Sequence, residues 1–382
     1  MGNSKFFLYF LICIIFSCDE KEEVKTVSIQ VDKIKSMNYS DVFDSIEYIL
    51  LKDSDQNPLV QPYKIIFSDK NIFVEDQQMD NLFIFSSKGE FIKVLESTGG
   101  GPGEFDQIQD FQVKNGKITI MDAVLGKFIE FDQNGKFLSE RRNYTTAENF
   151  LSTSGFDLYF FNNLPSDSSY NFLVKNDNIQ KYFVPLKQGY SGVSLTHLNG
   201  FMESMNSGMY YIDLPLSYNV FEFDKNGWLN SEITFDFGTY NLDPQKRLRM
   251  KEDGSFYENI GNVVGMLDSF FPIGENFVTT FSKNGDESYL LIYDKQFNLL
   301  FSGANLKNDF DGLEFFKLFP WSYYEKGIVL KLPSYYLSNL IEKYGINPSE
   351  KSNLQEFYNT NKELLKEDMS VFVKLKLRDE FL

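Results

Sequence analysis

The sequence predicts an all-β fold, a six-bladed β-propeller, and three observations carry that prediction. The 382-residue chain holds 40 Phe and 22 Tyr but only three alanines, Ala123, Ala147 and Ala304. Poverty in the best helix former together with wealth in aromatic residues favours strands. A short β-prone run recurs six times: "NIFVED" at Asn71, "KITIMD" at Lys117, "DLYFFN" at Asp157, "MYYIDL" at Met209, "NFVTTF" at Asn276 and "GIVLKL" at Gly327. Measured from Ile72, Ile118, Leu158, Met209, Phe277 and Ile328, the steps are 46, 40, 51, 68 and 51 residues. The first five runs are each followed by a second β unit, usually a hairpin. A period of about 40 to 50 residues with several strands per unit and little helix is the signature of propeller blades. One blade cannot bury both faces of its sheet, and packing blades round an axis solves this.

At the N-terminus, Lys5 precedes the apolar run "FFLYFLICIIF", Phe6 to Phe16. The run is short for a bilayer span and right for a signal-peptide core. It ends in "IFSC", which resembles a bacterial lipobox, so residues 1–17 read as a signal peptide and Cys18 as the lipidated first residue of the mature chain. The acidic "DEKEE" that follows reads as a tether over residues 18–26, with the propeller domain over 27–382. It also resembles the surface-export signal of Bacteroidota outer-membrane lipoproteins. The only other cysteine, Cys13, lies inside the signal, which leaves the mature chain no thiol for disulfides, catalysis or metal binding.

The runs "VSIQVD" and "SIEYILL" precede "NIFVED", which is read as the first inner strand. One of them is expected to complete the last blade beside the C-terminal "SVFVKLKL", Ser370 to Leu377, and so close the ring. In the hairpins "FSSKGEF", "FDQNGKF" and "FDKNGWL", Gly89, Gly135 and Gly227 stand at one offset after an aromatic and supply the positive φ of a tight turn. Asp132-Gln133-Asn134-Gly135 has the start of a calcium loop but lacks its remaining ligands, and reads as such a turn. Two helical insertions break the pattern. In the connection between the fourth and fifth blades, "DPQKRLRMKEDG" has Asp243 as N-cap, Pro244 as first helical residue and Gly254 as stop. In the last blade, "PSYYLSNLIEKYG" places Leu337, Leu340, Ile341 and Tyr344 on one helix face, ended by Gly345. "SNLQEFYNTNKELLKED" then starts with a Ser352/Gln355 capping box.

The segment "GGGPGEF" raises the question of a phosphate-binding loop. Such a loop needs a following helix and the Gly-Lys-Ser/Thr ending. Here Glu104-Phe105-Asp106-Gln107 follows, and Glu104 would repel phosphate. The segment lies between "FIKVL" and "DFQVKNGKITIMD", and reads as the joint between the first two blades. Gly101, Pro102 and Gly103 set the turn, and Phe105 wedges between blades. Glu104, Asp106 and Gln107 are the candidate ligand-facing residues of this loop.

"SDVFDSIEYILLKDSD", "NIFVED", "NLFIFSSKGEFIKVL" and "GGGPGEFDQIQDFQV" together resemble the six-bladed β-propeller lipoproteins of Bacteroidota, related in fold to NHL-repeat and TolB-like propellers. The resemblance covers nearly all the mature chain and is specific from about Asp41 to Phe137. Its closing strand departs from the family pattern, with Met369-Ser370 where the family has Asn-Pro. The resemblance implies a secreted, lipid-anchored propeller on the outer membrane. It implies no single activity, since propellers host many functions.

The formal charge of −17 and only five arginines argue against nucleic acid as a partner. Histidine metal clusters and a Ser-His-Asp triad are disfavoured by the single histidine, His197. "KDSDQN" alternates Asp53, Asp55 and Asn57 without the needed glycine, and reads as a polar loop rather than a calcium site. The sequons at Asn38 and Asn143 matter only where that glycosylation pathway exists. Asp44-Ser45-Ile46 resembles an O-glycosylation triplet. Trp321, Tyr323 and Tyr324 could stack on sugar but fit blade packing better. The expectation is a monomeric binding propeller, without metal or cofactor, that holds a small ligand, glycan or protein. The alternative is a channel-mouth enzyme, a metal-assisted hydrolase or a lyase.

Overall fold

Three strands precede the first blade: β1 (Glu23–Ser28), β2 (Ser36–Asn38) and β3 (Phe43–Leu50). The structure, a computed structural model, describes residues 23–382 except 55, 144, 164–168, 187–198, 205, 248–260 and 315–317. Four-stranded antiparallel sheets then follow along the chain. Blade 1 holds β4 (Pro62–Phe67), β5 (Asn71–Asp76), β6 (Asn81–Ser86) and β7 (Phe91–Leu95), from the axis outward. Blade 2 holds β8 (Asp110–Lys114), β9 (Lys117–Asp122), β10 (Lys127–Asp132) and β11 (Phe137–Arg142). Blade 3 holds β12 (Asn149–Ser152), β13 (Asp157–Phe160), β14 (Tyr170–Lys175) and β15 (Gln180–Pro185). Blade 4 holds β16 (Met202–Glu203), β17 (Tyr210–Asp213), β18 (Asn219–Phe223) and β19 (Leu229–Asp236). Blade 5 holds β20 (Val264–Ile273), β21 (Asn276–Lys283), β22 (Glu287–Tyr293) and β23 (Leu299–Lys307). Blade 6 holds β24 (Ser322–Tyr324), β25 (Gly327–Pro333), β26 (Ser370–Leu377) and, as its outermost strand, β3. The fold is thus an all-β six-bladed propeller.

The six recurrent runs are the second strands, not the innermost ones. "NIFVED" is β5, one step out from the axis, and β4 lies inside it. The innermost strands escape the repeat because some are very short: β16 has 2 residues and β24 has 3. The second strands stand out because both their faces are covered, which produces near-continuous apolar runs. In β5 alternate residues serve opposite seams. Ile72 and Val74 pack with Val329 and Phe372 of blade 6, while Phe73 packs with Phe111 and Ile120 of blade 2. The core is therefore a set of wedge-shaped seams between blades, filled largely by rings.

Closure pairs the two ends of the domain. β3 runs antiparallel to β26, with Ile46 opposite Leu375 and Tyr48 opposite Val373. The N-terminal chain does more than close the ring. β1 adds in parallel to β19 on the outside of blade 4, and β2 adds in parallel to β23 on blade 5. A belt thus crosses the rims of three successive blades before blade 1 begins. Residues 23–26, read from sequence as tether, belong to this belt. The fold starts at Glu23 rather than at 27, because Val24–Thr26 find an open sheet edge to pair with.

The turn glycines adopt the left-handed conformation, with φ of 82° at Gly89, 74° at Gly135 and 81° at Gly227. They also sit where a side chain has no room. A Cβ on Gly89 would lie 2.1 Å from the Leu50 carbonyl oxygen of the closing strand.

In the last blade, the helix Ser334–Tyr344 buries Leu337, Leu340 and Ile341, and Gly345 caps it with φ 75°. Tyr344 is 53% exposed, so the buried face is shorter than the periodicity implies. The next helix is Leu354–Asn361, and the Ser352/Gln355 capping box does not form. Both polar residues before the helix are used elsewhere. The Ser352 hydroxyl donates to Asp311 at 2.6 Å, and the Asn353 side chain bonds the Tyr48 backbone on β3. Between blades 4 and 5, Asp243 accepts the Lys246 amide over a helical turn at 244–247; the remainder of that insertion, 248–260, lies outside the described residues.

Candidate functional site

The disc has two distinct faces. The upper face carries the blade-to-blade connections and the turns between second and third strands. The lower face carries the other turns. On the upper face two conspicuous acids are already spent. Asp76, fully buried, accepts the amides of Val60, Gln78 and Met79 at 2.6, 3.0 and 3.2 Å. Asp122, equally buried in blade 2, accepts those of Asp106, Gln107 and Leu125 at 2.7, 3.4 and 2.7 Å. Buried carboxylates bonded to backbone N–H groups anchor loops.

The "GGGPGEF" segment lies within the loop that Asp122 anchors. Gly103 has φ 76°, and the Phe105 carbonyl accepts the amides of Thr98 and Gly99. Pro102 sits within the turn, and the Gly101 carbonyl accepts the Glu104 amide and the Lys127 ammonium. Phe105 is 1% exposed and lies in the seam between blades 1 and 2, with Phe73 and Leu82 on one side and Phe111 and Phe131 on the other. The Glu104 carboxylate turns back onto the Gly101 amide at 2.8 Å. Asp106 is exposed, while Gln107 lines a cavity.

That cavity encloses about 150 Å³ above blades 1 to 3. Its floor is an ion pair. Lys64 of β4 meets Asp110 of β8 at 2.6 Å, and both side chains are buried. Asp110 also accepts the Phe111 amide at 2.9 Å and the Phe150 amide of blade 3 at 3.0 Å, so one carboxylate ties three blades together. The Lys64 ammonium stands 5.4 Å from the Phe111 ring centre. Beside this pair lies Glu75, 5% exposed and without a hydrogen-bond partner among the described residues. Burial first, then the charge of Asp110, raise its carboxyl to about 8, with Lys64 pulling the other way. At neutral pH Glu75 is therefore largely protonated.

Two further polar groups line the cavity unpaired. The Tyr63 hydroxyl and the Asn149 Oδ1 are both buried without a partner among the described residues. Burial, followed by the charges of Glu75 and Glu148, keeps the Tyr63 hydroxyl protonated far beyond its usual range. Asp80, at the rim, is also raised, chiefly by burial. Blade 6 backs Tyr63: the Trp321 indole N–H donates to its carbonyl at 2.6 Å, and Lys331 lies 3.5 Å from the Trp321 ring centre. Burial lowers Lys331 to about 8.

Of the residues expected in sequence to face a ligand, the structure thus brings Gln107 to the cavity and leaves Glu104 and Asp106 outside it. Trp321 and Tyr323 pack between blades, Tyr323 stacking on Phe271 at 5.0 Å. Asn143 is 3% exposed and bonded to Thr145, which removes it as a modification point. Cys18, Asp55 and His197 lie outside the described residues. Lys64, Glu75, Asp110 and Asn149 were not legible as a group, because three blades supply them. Only Glu75 left a trace, an acid inside an otherwise apolar run. Among the described residues, no group of three or more His, Cys, Asp or Glu is placed to hold a metal ion, and no helix is long and apolar enough to cross a membrane.

Two solved structures share this architecture. One is a Bacteroides fragilis protein described as exported, with TM-score 0.67 and 15% identity over 93% of this chain and 100% of the other. The second is a member of the DUF4221 family from Bacteroides vulgatus, with TM-score 0.51 and 7% identity over 88% and 98% of the two chains. Likeness at such identities carries the fold alone. The sequence matches none of the curated proteins. Residues 17–331 match the DUF5128 family, described as a 6-bladed beta-propeller, and the chain belongs to that family.

Proposed function

We propose that this propeller is an exported, lipid-anchored binding module whose upper cavity takes a small ligand that both donates and accepts hydrogen bonds. The observation that carries the reading is the set of unpaired groups at one spot: Glu75, the Tyr63 hydroxyl and Asn149 Oδ1. An unpaired buried polar group costs about 1–3 kcal/mol, and natural folds keep few of them. Asn149 Oδ1 accepts, while the protonated Glu75 carboxyl and the Tyr63 hydroxyl can each donate. Hydroxyls of a polyol, which donate and accept, answer all three. The volume of about 150 Å³ fits a single small ring or a short chain, below the roughly 300 Å³ at which drug-sized pockets begin.

The anchor reading rests on the lipobox at Cys18 and on where the chain joins the disc. β1 runs parallel to the outermost strand of blade 4, so it starts at the lower face. A span of five residues, the number from Cys18 to Glu23, covers at most about 17 Å. A lipid on Cys18 would hold the lower face towards the membrane and turn the upper cavity outward.

Two measurements test these statements. Calorimetric titration of the full chain in detergent against small polyols and amines should find a ligand whose affinity drops at least tenfold in Asn149→Leu. Retained affinity there removes the cavity from the reading, and turnover of the ligand moves it to a channel-mouth enzyme. Fatty-acid labelling should mark the wild-type chain and not Cys18→Ala; equal labelling refutes the anchor.

A further inference from the structure

The lower face holds a second, larger concavity, which the upper cavity does not explain. It encloses about 740 Å³ between the turns of blades 2, 3 and 4, inside the range of sites that take extended ligands. Several of its polar groups are bound within the fold. Gln112 exchanges two hydrogen bonds with the Ser152 backbone, and Lys114 pairs with Glu203 at 2.7 Å. Others on the wall are unspent. The Lys225 ammonium, the Trp228 indole N–H, the Asn115 amide and the Thr119 hydroxyl have no partner among the described residues, and Thr119 is 6% exposed. Lys225 sits on the turn between β18 and β19, where its chain neighbour Asp224 is occupied by the amides of Asn226 and Trp228. The Trp228 ring is itself engaged, by Lys181 at 4.6 Å from its centre and by Phe183 at 6.0 Å, so its N–H is what it offers the groove.

We propose that this groove binds a short acidic glycan. The free donors, the Trp228 indole N–H among them, match ring and hydroxyl oxygens, and Lys225 matches a carboxylate. The inference is independent of the upper cavity, since the two sites share no residue.

The test is calorimetric titration of the full chain in detergent with tetragalacturonate, with an uncharged gluco-tetrasaccharide, and with phosphatidylglycerol vesicles in a flotation assay. The acidic tetrasaccharide should bind, weaken with salt, and lose at least tenfold in affinity in Lys225→Met and in Asn115→Gly, which removes the amide and suits the φ of 51° at that position. Both substitutions lie on turns, and circular dichroism confirms that the variants fold. Failure to bind, equal binding of the uncharged sugar, or affinity unchanged in both turn variants overturns the proposal. Vesicle binding lost in the same variants would also overturn it and make this face a membrane contact.

Discussion

Glu75 gives the sharpest physical test of the upper cavity. Its carboxyl rises from an ordinary 4.5 to about 8, mainly through burial. Each pH unit separating the folded from the unfolded value corresponds to about 1.4 kcal/mol of difference between the protonation states. The folded chain holds this proton more tightly than the unfolded chain does. The stability linked to it is therefore complete below pH 4.5 and is lost as pH rises to about 8, by about 5 kcal/mol in total. Glu75→Gln keeps the shape and cannot ionise, so it should escape that loss. At about 2 cal/mol/K per residue, unfolding this chain carries an entropy near 0.8 kcal/mol/K, and 5 kcal/mol becomes a Tm difference of about 6 °C. Thermal melts of both proteins from pH 4 to 9 measure it. The two should coincide near pH 4, and the variant should melt higher at pH 8. Parallel curves across the range would show that Glu75 is not held neutral, and its assignment as a hydrogen-bond donor to the ligand would go with it.

Further outcomes follow from the blade geometry. Phe105→Ala should destabilise by about 3–5 kcal/mol in denaturant unfolding, since it opens a cavity in a fully packed seam. Gly89→Ala should fail to give soluble protein, because its Cβ would meet the Leu50 carbonyl at 2.1 Å; Gly116→Ala, at φ 71° with open space around it, should cost only about 1 kcal/mol. Removing residues through 35 strips β1 from a rim and should leave cooperative unfolding intact. Removing residues through 51 takes away β3, the partner of β26, and should abolish it.

The ring was legible in the sequence and the sites were not, for one physical reason. Periodicity reports burial on both faces, and the second strand of every blade has it. The residues that line a mouth come one or two per blade, and with 54 acidic residues in the chain their convergence has no local signature. The belt of β1 and β2 escaped for a related reason: parallel pairing on a rim needs only an open edge, not an apolar run. A finer signal does exist inside the second strands. Where both faces are covered, a polar residue interrupting the run must find a partner or a use. Thr279 and Thr280 in blade 5 find one, bonding Ser269 on the adjacent innermost strand at 2.8 and 2.7 Å. Lys331 in blade 6 donates to the Pro62 carbonyl at 2.6 Å and braces the wall behind Tyr63. Glu75 in blade 1 and Thr119 in blade 2 find none among the described residues, and one lines the upper cavity while the other lines the lower groove. An interrupted second strand thus marks a place to examine, and partnership separates the braces from the positions left open to a cavity or groove. That criterion selects these two positions without reference to any ligand, and it puts one of them on each face of the disc.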